Sequence, residues 1–210
     1  MSASLVHLIR HGEVDNPHHV VYADLPGYGL SELGSAQADA AAVQLAHAPV
    51  RAVMSSPLLR ARQTAAAIGA VHDIAIEYDD RLLEWEGGIR WAGVRWEDLE
   101  EVFPGELNAY LETPYDLSLP TESLLECGAR VAATARDVAA SLDGGDLVIV
   151  SHQDPIHAGY LELVGLRPDS YHTDKPNHAG IISLEPTDQQ WHRVGYWQPE
   201  QGPSFPPLEE

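Results

Sequence analysis

Leu8-Ile9-Arg10-His11-Gly12-Glu13 is the stretch on which the reading of this chain turns. Leu5, Val6, Leu8 and Ile9 form an apolar run that predicts a short buried strand. An arginine and a histidine at the end of a strand, followed by glycine, suit a phosphate site. The guanidinium brings charge and a bidentate hydrogen-bond fork. The imidazole can act as nucleophile or proton carrier. The glycine lets the backbone turn sharply or lets a ligand approach closely. A strand-end histidine can also be a core residue with a satisfied hydrogen bond, so these six residues need support from the rest of the chain.

Working outward, strands alternate with helices. Turn formers fill the loop from Asn16-Pro17 to Gly29. Ser31 is the expected N-cap of an Ala-rich helix ending near Ala46. Residues 50–55 read as a second strand, and Ser56-Pro57 as N-cap and first position of a helix ending near Val71. Residues 74–78 read as a third strand. Thr121 or Ser123 starts a helix to about Leu142, with Ser123 and Glu126 at capping-box spacing. Leu147-Val148-Ile149-Val150 has the continuous apolar character of a strand buried on both faces. Asp154-Pro155 repeats the cap-and-proline pattern, and 180–184 and 192–197 supply the last strands. This alternation predicts an α/β fold, a three-layer α/β/α sandwich with a mostly parallel central sheet.

Residues 85–120 break the rhythm with Trp85, Trp91 and Trp96 among Gly87, Gly88 and Gly93. They read as a lid-like insertion, whose tryptophans either cover a pocket or pack as core. The expected organisation is one domain over 1–197 and an irregular Pro-rich tail over 198–210.

Composition narrows the function classes. The chain has 210 residues, 44% of them hydrophobic, enough for a real core. No apolar run approaches the ~20 residues of a membrane span, and the N-terminus lacks a basic region followed by an apolar one, so no signal peptide is expected. Cys127 is the only cysteine, so no internal disulfide can form and a cytoplasmic location is expected. Twelve basic residues against 32 acidic ones give a net charge of −20. That argues against binding nucleic acid or an anionic membrane. A phosphate ligand would require the few cations to gather at one place. Lys175 is the sole lysine among them. Nothing in the composition fixes an oligomeric state.

In a parallel sheet, ligands collect at the carboxyl ends of the strands. Three polar clusters fall there: Arg10-His11-Gly12-Glu13, the stretch from Ser55 to Ala65 with Arg60 in a first helical turn, and Ser151-His152-Gln153-Asp154-Pro155. Glu84 lies between the second and third. With these stretches in hand, the chain resembles the histidine phosphatase superfamily, which includes cofactor-dependent phosphoglycerate mutases and many small phosphomonoesterases. The matching segments are LIRHGE at 8–13, LSELGSAQA at 30–38, SSPLLRARQTA at 55–65, RLLE at 81–84 and VSHQDPI at 150–156. Separated motifs in the family's order are far more specific than any one alone.

The resemblance implies a phosphoglycerate mutase-like fold and a division of labour. His11 would attack phosphorus and form a phosphohistidine. Arg10, Arg60 and His152 would hold the phosphoryl oxygens. Glu84 would protonate the leaving alkoxide and then help activate water. No metal or other cofactor is implied, because arginines and histidine supply the charge stabilisation. The implied partner is a small phosphorylated metabolite. A phosphoglycerate mutase-type transfer and a non-catalytic phospho-ligand binder are the alternatives.

Several positions depart from the family's pattern. Where many members have asparagine six positions after the nucleophile, this chain has Pro17, leaving Asn16 as the candidate phosphate contact. Glu86 competes with Glu84 for the acid, and Glu84 is favoured because it follows the Arg-Leu-Leu pattern. Gln153 and Asp154 replace the glycines common after the second histidine; Asp154 is expected to cap the helix that Pro155 begins. His18-His19 and the His152/His157 pair fit no zinc signature. Arg62 is expected at the surface and Thr64 in helix packing.

Overall fold

In the computed structural model, which describes residues 3–117, 121–167, 171–188 and 190–199, the apolar run before His11 forms strand β1 (Val6–Arg10). Helix α1 (Glu32–Leu45) follows, its N-cap Ser31 accepting from the Gly34 amide at 2.9 Å. Then come β2 (Val50–Ser55), α2 (Leu59–His72) and β3 (Ile76–Tyr78). A 3₁₀ turn over Asp80–Leu82 leads to three short helices, α3 (Glu86–Arg90), α4 (Leu99–Val102) and α5 (Glu106–Glu112). The chain closes with α6 (Leu124–Ser141), β4 (Asp146–Ser151), α7 (Gln153–Val164), β5 (Ile181–Glu185) and β6 (His192–Trp197). Both halves of the expected capping box start α6: Ser123 Oγ accepts from the Glu126 amide, and the Glu126 carboxylate accepts from the Ser123 amide.

The strands form one sheet in the order β3-β2-β4-β1-β5-β6. The first four are mutually parallel, and β5 and β6 run antiparallel. The period-two alternation of side chains assigns each face a helical layer. Leu147 and Ile149 face a core shared with α6 and α7, whereas Val148 and Val150 face one shared with α1 and α2. All six residues of β4 are buried, as a central strand covered on both sides requires. The architecture is the expected α/β/α sandwich. Among the described residues, no helix is long and apolar enough to cross a membrane.

Two helix starts differ from expectation. Helix α2 begins at Leu59, with Leu58 as N-cap and no side-chain cap bond. Ser56 lies ahead of the helix: its amide extends the sheet to Val150 O, and its hydroxyl accepts from the Leu58 amide while also meeting His152. Helix α7 begins at Gln153 with His152 as N-cap. Asp154 therefore does not cap it; its carboxylate is engaged elsewhere, as described below.

The segment after Glu84 is both wall and core. Trp85 and Trp91 are each 2% exposed, and Trp85 stacks on Tyr110 at 5.5 Å while Trp91 meets the same ring edge-on. Trp96 stays 45% exposed. Of the tail, only residues 198 and 199 lie among those described.

Candidate active site

Because β2, β4 and β1 are adjacent and parallel, their carboxyl ends share one edge. Backbone bonds fasten the loops that leave it: the His11 amide donates to Ser151 O, and the Ser56 amide to Val150 O, both at 2.9 Å. Arg10, His11, Arg60, His152 and Glu84 meet there. His11 Nδ1 donates to its neighbour's carbonyl, Gly12 O, at 2.6 Å, which leaves Nε2 as the bare nitrogen. Arg60 Nε donates to that Nε2 at 3.2 Å. The His152 ring meets His11 edge-on at 5.3 Å, and its Nε2 is 2.8 Å from Ser56 Oγ. Arg60 also donates through Nη2 to Ala23 O at 2.7 Å, and its guanidinium lies 4.7 Å over the Tyr22 ring.

Two residues outside the motifs complete this floor. Arg10 Nη1 donates to Pro176 O, and Arg10 Nη2 donates to His178 Nε2 at 2.7 Å. Burial and then the Arg10 charge bring the His178 pKa down to about 3, so the ring is neutral and can accept. Thr64, expected to serve only helix packing, accepts from the Gly12 amide and donates to Arg60 O, linking the first two clusters. Gly12 does not adopt a positive φ. Its need for glycine comes from the first turn of α1: a Cβ on Gly12 would press into the Gly34 carbonyl, and one on Gly34 would sit 2.8 Å from the Glu13 amide nitrogen. The close approach is therefore by a helix, not by a ligand.

Above the floor opens a cavity of about 430 Å³, lined by Arg10, His11, Glu84, Asp154 and the tryptophans, among others. Glu84 is held by the Trp85 amide at 3.0 Å, and its Oε2 lies 3.5 Å from Arg60 Nη2 and 3.7 Å from His152 Nδ1. Glu86 is exposed and does not line the cavity. Asn16 lines it, but its amide is engaged with Val20, donating to the carbonyl at 2.9 Å and accepting from the amide. Arg62 is exposed over the Tyr78 ring. His157 bonds Tyr171 O, and among the described residues no three His, Cys, Asp or Glu side chains converge as a metal-holding group.

Asp154 projects from the first turn of α7 into a buried polar knot. Lys175 Nζ donates to it at 2.6 Å and to Tyr110 Oη at 2.7 Å, and the Tyr110 and Tyr171 hydroxyls also reach the carboxylate. The lysine is 7% exposed. Burial acts to raise the Asp154 pKa, but Lys175 and Tyr110 bring it below the ordinary value. The only sequence signal for this pair was that Lys175 has no other lysine for company.

The site pushes its groups in opposite directions. Burial, then the Arg60 charge, holds both His11 and His152 well below the usual imidazole value. Burial pushes Glu84 above the usual carboxylate value against the pull of Arg60. Among the described residues five buried side-chain polar atoms have no hydrogen-bond partner; two of them, Arg10 Nε and His152 Nδ1, belong to this cluster, and the others are His72 Nε2, Tyr115 Oη and His157 Nδ1. Buried polar groups are mostly hydrogen-bonded, and these two can serve a ligand bound in the cavity beside them.

The family model for the histidine phosphatase superfamily (branch 1) matches residues 6–198. The uncharacterized protein Rv0525 of Mycobacterium tuberculosis is 38% identical over 184 residues, covering 85% of this chain and 87% of its own. Phosphoserine phosphatase 1 of Hydrogenobacter thermophilus is 30% identical over 160 residues, covering 76% and 75%. Among solved structures, mycobacterial glucosyl-3-phosphoglycerate phosphatase Rv2419c superposes with a TM-score of 0.82 at 26% identity, covering 93% of this chain and 98% of that one. A match that begins in β1 and runs past β6 takes in the whole sheet and both helical layers, and on it the chain belongs to branch 1 of the histidine phosphatase superfamily.

Proposed function

We propose that this protein hydrolyses a small phosphomonoester through a phosphohistidine on His11 Nε2. The observation that carries this is the pair of unpartnered buried nitrogens, Arg10 Nε and His152 Nδ1, flanking a histidine whose Nε2 is bare. Ser56 Oγ already accepts from the Leu58 amide, so its hydrogen is free for His152 Nε2. His152 Nδ1 then carries the ring hydrogen and becomes a donor. Arg10, Arg60 and His152 thus offer hydrogen bonds to phosphoryl oxygens around the nucleophile. Three such groups spread the transition-state charge in a site largely closed to water, where each hydrogen bond is worth more than in solution.

The proton inventory fits the same chemistry. A nucleophilic imidazole must be neutral, and burial with Arg60 keeps His11 so well below its usual range. An acid must hold a proton, and burial favours the protonated form of Glu84. A phosphate dianion bound beside it adds to that preference. Glu84 would protonate the leaving alkoxide, then take a proton from the water that cleaves the phosphohistidine. Two titratable groups displaced in opposite senses within one site mark acid–base work. Relatives named as phosphatases, for phosphoserine and for glucosyl-3-phosphoglycerate, lend the reading support.

The test is hydrolysis of p-nitrophenyl phosphate by wild type and His11→Ala, with circular dichroism to verify folding and a chelator in a parallel assay. A folded, inactive variant and chelator-resistant wild-type activity are expected. Activity retained by His11→Ala removes the mechanism; activity lost to the chelator and restored by zinc or magnesium removes the metal-free form of it.

A further inference from the structure

The alcohol half of a substrate must lie in the cavity above Glu84, and the charges there are one-sided. All twelve Lys and Arg side chains fall among the described residues, so the chain's fixed side-chain cations can be followed one by one. Arg10 alone of them lines the cavity, with Arg60 behind it. Lys175 is 7% exposed and held by Asp154 and Tyr110. Arg130 is bound by Glu122 and by the carbonyls of Arg81, Leu83 and Glu84. Arg95, next to the mouth, pairs with Asp98 at 2.7 Å and lies 3.5 Å from Glu97. Arg90, beside Trp91, pairs with Glu106 at 2.7 Å, and none of the remaining cations lines the cavity. Against this, three carboxylates line the cavity: Glu84, Asp154 and Glu97. Its mouth carries the 45% exposed indole of Trp96, with Trp91 edge-on behind it. His19, at the rim, brings an imidazole and not a fixed cation.

From this arrangement we infer that the substrate is the phosphomonoester of an alcohol bearing no second anionic group, neutral or cationic, seated against the Trp91–Trp96 surface. The inference rests on the phosphatase reading above and names its substrate class. A carboxylate on the alcohol would lose water against carboxyl groups already satisfied, Glu84 by its proton, Asp154 by Lys175 and Glu97 by Arg95, and find no unpaired cation to replace it. A hydroxylated or ammonium-bearing alcohol meets acceptors there instead, and indole rings attract cations.

Two matched pairs isolate the carboxylate. Phosphoethanolamine and phosphoserine differ by that group alone; glycerol 3-phosphate and 3-phosphoglycerate differ by oxidation of one terminal carbon to it. For the purified full chain, kcat/KM is measured for all four, together with competitive inhibition constants against p-nitrophenyl phosphate, so the comparison stands even without turnover. In both pairs the carboxylate-free member is expected to be favoured at least tenfold, in kcat/KM where it turns over and in inhibition constant where it does not. Glu97→Arg is expected to narrow both ratios by bringing a cation to the wall. A ratio below tenfold in either pair, or ratios unmoved by Glu97→Arg, overturns the inference. The phosphatase reading is judged separately, by His11-dependent hydrolysis of p-nitrophenyl phosphate.

Discussion

Replacing Asp154 by asparagine keeps the shape of the side chain and removes the charge that holds Lys175. Breaking one side of a buried ion pair costs roughly 3–5 kcal/mol. The structure also sets a ceiling, because the stranded lysine can escape by losing its proton. From its ordinary value of 10.5, doing so at pH 7 costs about 4.8 kcal/mol, at 1.36 kcal/mol per pH unit. The expected deficit at pH 7 is therefore about 3–5 kcal/mol, or a fall in Tm of roughly 6–20 °C for a chain of this size. The sign with pH follows from proton linkage. The unfolded variant binds a proton at Lys175 that the folded one tends to release, so the variant gains stability as pH rises. At pH 9 the ceiling drops to about 2 kcal/mol. Urea unfolding followed by circular dichroism at both pH values reads this directly. Adding Lys175→Met to Asp154→Asn should recover most of the loss, since the knot then holds no charge and Tyr110 and Tyr171 keep an acceptor. A deficit under about 0.5 kcal/mol at pH 7, or one unchanged at pH 9, refutes the reasoning.

Glu84→Gln should slow alkyl phosphate hydrolysis by about 10²–10⁴-fold while changing p-nitrophenyl phosphate hydrolysis less than about tenfold, because that leaving group hardly needs a proton; equal losses on both esters would take the acid role from Glu84. Gly34→Ala forces α1 away from the Gly12-Glu13 backbone. It should cost about 1–3 kcal/mol in urea unfolding, as overpacking does, and should lower kcat by disturbing the bond from the Gly12 amide to Thr64; wild-type stability in this variant would show that the helix has room to move.

Sequence periodicity located the strands because β1 and β4 are buried on both faces and leave little choice of residue. The capping box at Ser123 was legible for a similar reason: both partners lie within four positions of each other. What stayed hidden depends on residues far apart in the chain. Asp154-Pro155 carries the local signature of a helix start, yet a lysine 21 residues away and two tyrosines claim the carboxylate. Ser56-Pro57 misled in a related way, since the serine hydroxyl serves His152, 96 residues on, as well as the Leu58 amide. Arg10, His11, Arg60, Glu84 and His152 could be gathered in advance because each follows a strand or a recognisable motif. His178 could not, for it sits in a loop without periodic pattern and reaches the site only through Arg10.

Most cations of this chain sit in ion pairs or beneath the cavity, and that placement governs how a phosphate ester arrives. With a net charge of −20, the outer surface repels a dianion, while the attraction of Arg10 and Arg60 is felt only inside the mouth. Dissolved ions shorten the reach of that repulsion to about 8 Å at physiological ionic strength. Capture should therefore quicken as salt is added, the reverse of an enzyme that steers its ligand by long-range attraction. The encounter rate then belongs partly to the surrounding electrolyte, and a saline medium is the one in which the pocket is reached most often.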